Sequence, residues 1–436
     1  MNLKSRLALI CGKFAYWFLT TFTKGGSSLP GKIATYIDPD ILKYLAKNYR
    51  VIVITGTNGK TLTTSLTTQV IESSFPSVLT NDTGSNMIQG IVGSFLLADP
   101  SLKGRLAVIE VDEGSLKHVL KDLNPEAIVY TNIFPDQMDR FPTLKHVQDL
   151  LFEGARTVPE ATLIYNADDP YLNPMDLPNP TRTFGVTDQD YQATDPLLED
   201  DTLCPQGLTY QSRTYADLGD YACENSAFQR PDIDDPITRI HHVDSESSTF
   251  DIRDQTLTLP LAGVYNIYNA LAAYSVGKFL NIADEEILQV LSQANQVDGR
   301  QEVFEIQDKE IVLNLVKNPV GLNQVLDLLQ LEERPYDFYF FLNDQYADGQ
   351  DTQWIQSGNF HQLIKHKNLH DIYAGGRRYE LVVKELHRQK VSQDIHSVTA
   401  VDQLGTLIEN TPQKNMHILA TYTAMVEIRD YLSTLT

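Results

Sequence analysis

The chain has 436 residues and carries 35 Lys plus Arg against 57 Asp plus Glu, a formal net charge of −22 at pH 7. Apolar residues at 42% and charged residues at 21% exclude a disordered chain, and the length is too great for one core, so two or three domains are expected. The acidic balance argues against nucleic-acid or anionic-lipid binding, and three Cys exclude a disulfide scaffold and suit a reducing compartment. Residues 7–22 (LALICGKFAYWFLTTF) read as an apolar helix, shorter than the roughly 20 residues of a membrane span and interrupted by Lys13. No cleavage pattern follows it. It either docks on its own domain or lies against a membrane face or partner. A turn and loop at 27–32 and a short helix at 39–48 lead into four β-branched residues, 51–54, that read as a buried strand.

That strand opens into Thr55-Gly56-Thr57-Asn58-Gly59-Lys60-Thr61. Backbone N–H groups of such a turn point at an anion, Lys60 supplies a mobile positive charge, and the Thr61 hydroxyl can complete the shell of a phosphate-bound Mg²⁺. The first glycine stands at Gly56, where the usual loop has it at the position of Ile54. Residues 62–72 read as the helix whose N-terminus faces the phosphates. A second buried strand, 104–111, ends in Glu110, Asp112 and Glu113; a third, 127–130, in Thr131-Asn132; a fourth, 161–165, in Asn166-Ala167-Asp168. Apolar strands separated by helices point to a mostly parallel sheet covered on both faces, with its ligands beyond the carboxyl ends of the strands.

The span 188–242 is polar and holds Cys204 and Cys223 as the survivors of two CxxC pairs whose second positions are Gly207 and Ser226. Two thiolates make a poor structural zinc site, so this span reads as a small metal-free β insert with empty zinc positions. Residues 250–260 partly alternate like a strand and lead through Gly263 into a helix containing Asn266 and Asn269. Beyond Asp298-Gly299-Arg300 come four strand-like runs, 310–316, 336–342, 370–374 and 417–420, with helices between them: a second α/β domain. The expected organisation is a leading helix and loop at 1–38, a nucleotide-binding domain at 39–297 with the insert inside it, and a C-terminal domain at 298–436.

The phosphate turn, the acid-ended strand, Thr131-Asn132, Gly263…Asn266…Asn269-Ala270 and Asp298-Gly299-Arg300 resemble the Mur ligase superfamily, ATP-dependent enzymes that join an amine to a carboxylate. Nearly end to end, the chain is similar to the MurT family of synthetase subunits of lipid II isoglutaminyl synthase. The matching segments are Ser28-Leu29-Pro30-Gly31, Asp136-Gln137-Met138-Asp139-Arg140, the run from Tyr215 to Tyr221, Asn343-Asp344 with Ala347-Asp348-Gly349-Gln350-Asp351, and Thr421-Tyr422-Thr423-Ala424. Departures exist as well. Mur ligases have a leading domain that grips a uridine diphosphate substrate, whereas this sequence is expected to go almost directly to the ATPase domain; their Asp-His pair is Asp136-Gln137, and their Asp-Tyr-Ala-His-x-Pro segment is Val316-Lys317-Asn318-Pro319.

The resemblance implies ATP-dependent amidation of the D-glutamate α-carboxylate of lipid II through an acyl phosphate. Lys60 and the amides of residues 56–61 would neutralise charge on the phosphates, while Thr61 and Glu110 would hold Mg²⁺. The competing reading of Glu110 is a solvated acid at a strand end. Asn269 is a candidate for an adenine-edge hydrogen bond and Asn266 for an Asx-type cap on the same helix. Arg300 would reach phosphate or sugar on domain closure, or lie on the surface. Of the two acids in the ADGQD turn, Asp351 first and Asp348 second are expected to position or deprotonate the incoming nitrogen; by sequence alone both are also a plain turn motif. None of the three Cys has a His partner or an elbow turn, so the ammonia is expected from a separate GatD-like glutaminase subunit in a heterodimer. The implied setting is cytoplasmic, at the inner membrane face. An amino-acid-adding ligase and a nucleotide-switched binding protein are the competing readings.

Overall fold

The computed structural model describes residues 3–22, 28–81, 85–99, 106–136, 140–174, 176–191, 203–204, 207–224, 226–294, 301–364, 366–391 and 394–435. The β-branched run forms β1 (Arg50–Thr55), an interior strand of a sheet with β2 (Leu79–Thr80), β3 (Leu106–Glu110), β4 (Ala127–Tyr130), β5 (Thr162–Asn166) and β6 (Thr181–Val186). After the separate hairpin β7 (Leu208–Tyr215) and β8 (Leu218–Cys223), the chain rejoins it as β9 (Asp235–Val243), β10 (Ser248–Ile252) and β11 (Gln255–Leu259). Among the described residues this is a nine-stranded sheet of order β11-β10-β9-β6-β5-β4-β1-β3-β2, parallel from β2 to β9 and antiparallel at the β10–β11 edge.

Helices α1 (Leu3–Phe22), α2 (Ser28–Ile37), α3 (Ile41–Ala46), α4 (Lys60–Ser74), α5 (Ile88–Leu97), α6 (Leu116–Leu123), α7 (Leu144–Arg156), α8 (Val264–Phe279) and α9 (Asp284–Leu291) complete this lobe. Alternate residues of β1 bury on opposite faces, as the pleat requires. Ile52 and Ile54 share a core with Leu66 of α4 and Leu271 of α8, while Val51 and Val53 share one with Ile91 of α5 and Leu151 of α7. Each such aliphatic side chain contributes about 1.5–3 kcal/mol of burial, which fixes the height at which β1 releases the chain into the phosphate turn.

A second, six-stranded sheet forms the C-terminal lobe from β12 (Glu302–Ile306), β13 (Lys309–Leu315), β14 (Tyr336–Phe341), β15 (Leu369–Gly375), β16 (Ile395–Val398) and β17 (Asn415–Ala420), in order β12-β13-β17-β14-β15-β16. Helix α10 (Pro319–Leu329) follows β13, and Asn318 caps it by accepting from the Gly321 N–H at 2.8 Å.

Several expectations need correction. The segment 27–32, read as turn and loop, supplies the start of α2 from Ser28. Pro30 is tolerated in the first turn, where its missing N–H has no helical partner, and Gly31 is needed because a Cβ there would lie 1.8 Å from Gln89 O of α5. The run 250–260 is a hairpin, turning at Arg253 with φ 56°. β9, inside the span read as the insert, pairs in parallel with β6. The edge strands β12 and β16 were missed because they are short and half-exposed. Cys204 and Cys223, read as the remnants of empty zinc positions in a chain suited to a reducing compartment, are bonded to each other with Cα atoms 5.8 Å apart; the β7–β8 register sets Cys223 opposite Leu208, within reach of the segment bearing Cys204.

Candidate active site

Sheet register assembles the site from distant segments. Ile54 pairs with Glu110 and Thr55 with Tyr130, so the ends of β3 and β4 flank the turn that leaves β1. Gly56 (φ 128°) crosses so near β4 that a Cβ would sit 2.3 Å from Thr131 Oγ1. The Thr131-Asn132 strand end then ties the turn down. Thr57 N–H donates to Asn132 O (2.8 Å), Asn58 N–H to Asn132 Oδ1 (2.9 Å), and Thr131 Oγ1 to Asn58 O (2.8 Å). The amides of Thr57 and Asn58 are therefore engaged within the protein. The first helical bond of α4 runs from Thr63 N–H to Gly59 O, which leaves the N–H groups of residues 60–62 as the open donors of the helix N-terminus. Behind this clamp Asp169 accepts from Ile133 N–H at 2.6 Å and Tyr171 N–H at 2.9 Å, and burial pushes its carboxyl up to about 7.

Lys60 is buried and folds back on its own turn, donating to Gly56 O (2.5 Å), Thr57 O (3.2 Å) and Glu113 Oε2 (3.2 Å). Burial disfavours its charge, but Glu113, Glu110, Asp112 and Asp136 together raise its pKa above the usual lysine value, so it is a cation at any physiological pH. Burial raises the Glu113 carboxyl, and Lys60 opposes that rise. Glu113 belonged to the acid cluster visible in the sequence, yet Glu110 was the residue singled out there.

These groups line a cleft of about 580 Å³ between the two lobes, together with Thr61, Arg140, Lys317 and the turn residues Tyr346, Ala347, Gly349 and Gln350. Asp112 pairs with Arg140 (3.3 Å), Asp136 with Lys317 (2.5 Å) and Glu113 with Lys60. The Glu110 carboxylate accepts from the Asn86 amide at 2.9 Å, and Asp136 Oδ1 is buried with no hydrogen-bond partner among the described residues. Thr61, Glu110 and Asp136 line the same cleft and carry oxygen donors of the kind a hard cation takes. The lobes also meet through paired amides, with Asn318 Nδ2 donating to Asn58 Oδ1 at 2.9 Å. In the sequence Asp136 stood in a matching segment, whereas Lys317 and Asn318 were noticed only as departures from a family pattern.

Asn269 lies beneath the turn: its Oδ1 accepts from Thr63 Oγ1 at 3.2 Å, and a Cβ on Gly59 (φ 82°) would fall 2.1 Å from it. Asn266 donates to Ala262 O at 2.8 Å, a bond to its own helix start. Tyr215, Tyr265 and Gln324 stand beside Asn269 and continue into a second interlobe cavity of about 650 Å³. Arg300 lies outside the described residues.

Tyr346, Ala347, Gly349 and Gln350 form the far wall, while neither Asp348 nor Asp351 is among the residues lining the cleft. Asp348 is buried and faces its own lobe, accepting from Thr423 N–H (2.7 Å), Thr423 Oγ1 (2.6 Å) and Gln345 N–H (3.0 Å). Asp351 is half-buried and accepts only locally, from Gln353 N–H at 2.8 Å, among the described residues. The two acids are thus close in sequence and differ in commitment.

Comparison with known proteins extends this geometry. The family description "Mur ligase middle domain" matches residues 54–277 and "MurT ligase C-terminal" matches 315–425. The chain is 41% identical over 441 residues to the lipid II isoglutaminyl synthase (glutamine-hydrolyzing) subunit MurT of Streptococcus pneumoniae, covering 99% of this chain and 98% of that protein. It is 33% identical to the subunit of the same name from Staphylococcus aureus, over 86% and 87% of the two chains. In fold it is similar to a pseudomurein peptide ligase type C from Methanothermus fervidus (TM-score 0.68, 18% identity, 91% and 81% covered). It is also similar to the MurF ligase of Thermotoga maritima in complex with ADP (TM-score 0.63, 14% identity, 92% and 84% covered).

Proposed function

This chain belongs to the MurT family of Mur ligases, and from that premise we propose that it is the synthetase subunit of a lipid II isoglutaminyl synthase, amidating the D-glutamate α-carboxylate with ATP. The observation that carries this reading is the interlobe cleft: a buried lysine and an open helix N-terminus on one wall, acids beside them, and the ADGQD turn opposite. A carboxylate resists amide formation because oxide is a hopeless leaving group. Transfer of the γ-phosphoryl of ATP to a carboxylate oxygen yields an acyl phosphate and ADP; ammonia then adds to the carbonyl carbon, phosphate leaves, and one proton is lost from nitrogen.

Lys60 leaves its own turn's carbonyls to neutralise phosphate charge during transfer, assisted by the N–H groups of residues 60–62. Mg²⁺, when bound to Thr61 and Glu110, would supply further charge neutralisation. Thr131, Asn132 and Asn318 are positioning residues, since they fix the turn rather than reach a ligand. Asn269 would reach the adenine edge only by releasing its bonds to Thr63 and Asn266, and Asp351 takes the proton from nitrogen, with Asp348 holding the turn that presents it. Ammonia comes from a GatD-like glutaminase subunit on the cytoplasmic side, because this chain's cysteines are a disulfide pair and a half-buried helix residue.

The test is mass spectrometry of lipid II after incubation with this chain, ATP, Mg²⁺ and ammonium. A small mass decrease, hydroxyl exchanged for amide at D-glutamate, is expected. No change, or turnover only when an amino acid replaces ammonium, overturns the reading. Glutamine should support turnover only when the second subunit is added.

A further inference from the structure

The leading helix α1 presents two faces that do different work. Its small residues Ser5, Ala8 and Gly12 are buried against its own lobe, so closely that a Cβ on Gly12 would lie 2.6 Å from Leu96 Cδ1 of α5. Ser5 adds a 2.6 Å hydrogen bond to Asp38. Small residues on the inner face let the helix lie flat, and they leave its large side chains outside. Leu7 (53% exposed), Ile10, Phe14 (62%), Phe18 and Phe22 recur at i, i+3 and i+4 spacing on the opposite side, with the exposed Trp17 beside them. Phe14, Trp17, Phe18 and Phe22 touch one another there, with ring centroids 5.1–6.1 Å apart. A helix docked solely to complete its own lobe would have its apolar stripe turned inward.

The charge on α1 is equally one-sided. At about 100° per residue, Arg6 and Lys13 flank one margin of the apolar stripe and Lys4 the other, and all three are exposed. No acidic residue precedes Asp38, in a chain whose net charge is −22. An acidic protein surface repels anions generally, so a basic-rimmed apolar stripe selects both the surface it meets and the orientation in which it meets it. Aromatic side chains favour the boundary between headgroup and acyl chain, while Lys and Arg stems extend from there to lipid phosphates. No helix among the described residues is long and apolar enough to cross a membrane.

We infer that the outer face of α1 is a docking surface for an anionic phospholipid bilayer, on which the protein lies with the helix in the interfacial plane. This stands apart from the ligase reading, since vesicle binding is measured without ATP. If both hold, the docked helix keeps the cleft beside a lipid-anchored substrate.

The experiment is flotation of the full chain with vesicles of phosphatidylglycerol and phosphatidylcholine in equal parts, against phosphatidylcholine alone, followed by tryptophan fluorescence. Expected results are preferential binding to the anionic vesicles, weakening at high salt, and a blue shift that Trp17→Phe removes. A Leu7→Glu plus Phe14→Glu variant should bind about tenfold more weakly or worse, because each change puts a charge where the apolar stripe meets lipid. Both positions are exposed, and an unchanged circular dichroism spectrum and unfolding midpoint would show the fold intact. Charge reversal at Lys4, Arg6 and Lys13 is a second route to the same loss. Absence of flotation, or flotation without a Trp17 shift, overturns the inference. So does a double-Glu variant that floats normally but no longer self-associates or no longer assembles with its glutaminase, since the face would then be a protein interface.

Discussion

Two turns face each other across the cleft and differ in how completely the protein has tied them down. In the phosphate turn, Thr57, Asn58 and Lys60 are buried, and strand end, helix start and opposite lobe each contribute a bond. In the ADGQD region, Tyr346 is 93% exposed, a Cβ on Gly349 would meet nothing within 4 Å, and Asp351 is held by one local amide among the described residues. A cross-tied turn fixes a phosphate with little reorganisation, which is what electrostatic stabilisation of a transferring group requires. An open turn leaves a carboxylate able to meet a nucleophile arriving from outside.

Lys60→Ala removes the one cation buried in the first turn, and amidation should fall by about 10³-fold, with ATP affinity lost and the fold retained. Calorimetric titration with ATP checks this; undiminished affinity would break the comparison at its first term. Asp351→Asn should lower kcat by about 10²-fold while ATP binds as before. Parallel loss of ATP binding would mean that both turns hold nucleotide. Asp348→Ala removes three accepted hydrogen bonds and should cost about 1–3 kcal/mol in urea unfolding, with the folded fraction still active. Inactivity at an unchanged unfolding midpoint would move Asp348 from support into chemistry.

The smallest effect concerns the scaffold behind the first turn. The Asp169 carboxyl is raised to about 7 by burial, so it binds its proton more tightly in the folded chain than in the unfolded one. Its contribution to stability is full below pH 4 and declines as pH rises through about 7. Asp169→Asn lacks that titration. The stability of the variant relative to the parent should improve between pH 6 and pH 8 by about 1–2 kcal/mol; a constant difference would show that Asp169 does not titrate in this window.

The local parts of this architecture were legible because they follow from neighbouring residues. The β-branched run ahead of Gly56, the acids closing β3 and Thr131-Asn132 closing β4 declare strand ends, and a parallel sheet gathers such ends on one side. Contacts that join the lobes were not legible. Asp136 meets Lys317 and Asn58 meets Asn318 across separations of 181 and 260 residues, and no periodicity carries that pairing. Helix α2 was hidden by Pro30-Gly31, whose turn-like composition serves the first helical turn and a close approach to α5. Whether α1 turns its apolar stripe inward or outward also depends on the tertiary surface it meets. Small residues at 5, 8 and 12 were the clue, being the only flank of that helix able to lie close to a neighbour.

The central claim is that the nucleotide held by the Lys60 turn activates a substrate carboxylate by phosphorylation. Positional isotope transfer tests it most directly, using lipid II whose D-glutamate α-carboxylate carries ¹⁸O, with ATP, Mg²⁺ and ammonium. The account predicts one ¹⁸O in inorganic phosphate for each amide formed, because the oxygen that leaves carbon departs with phosphorus. Amide formation with all of the released phosphate unlabelled would contradict it.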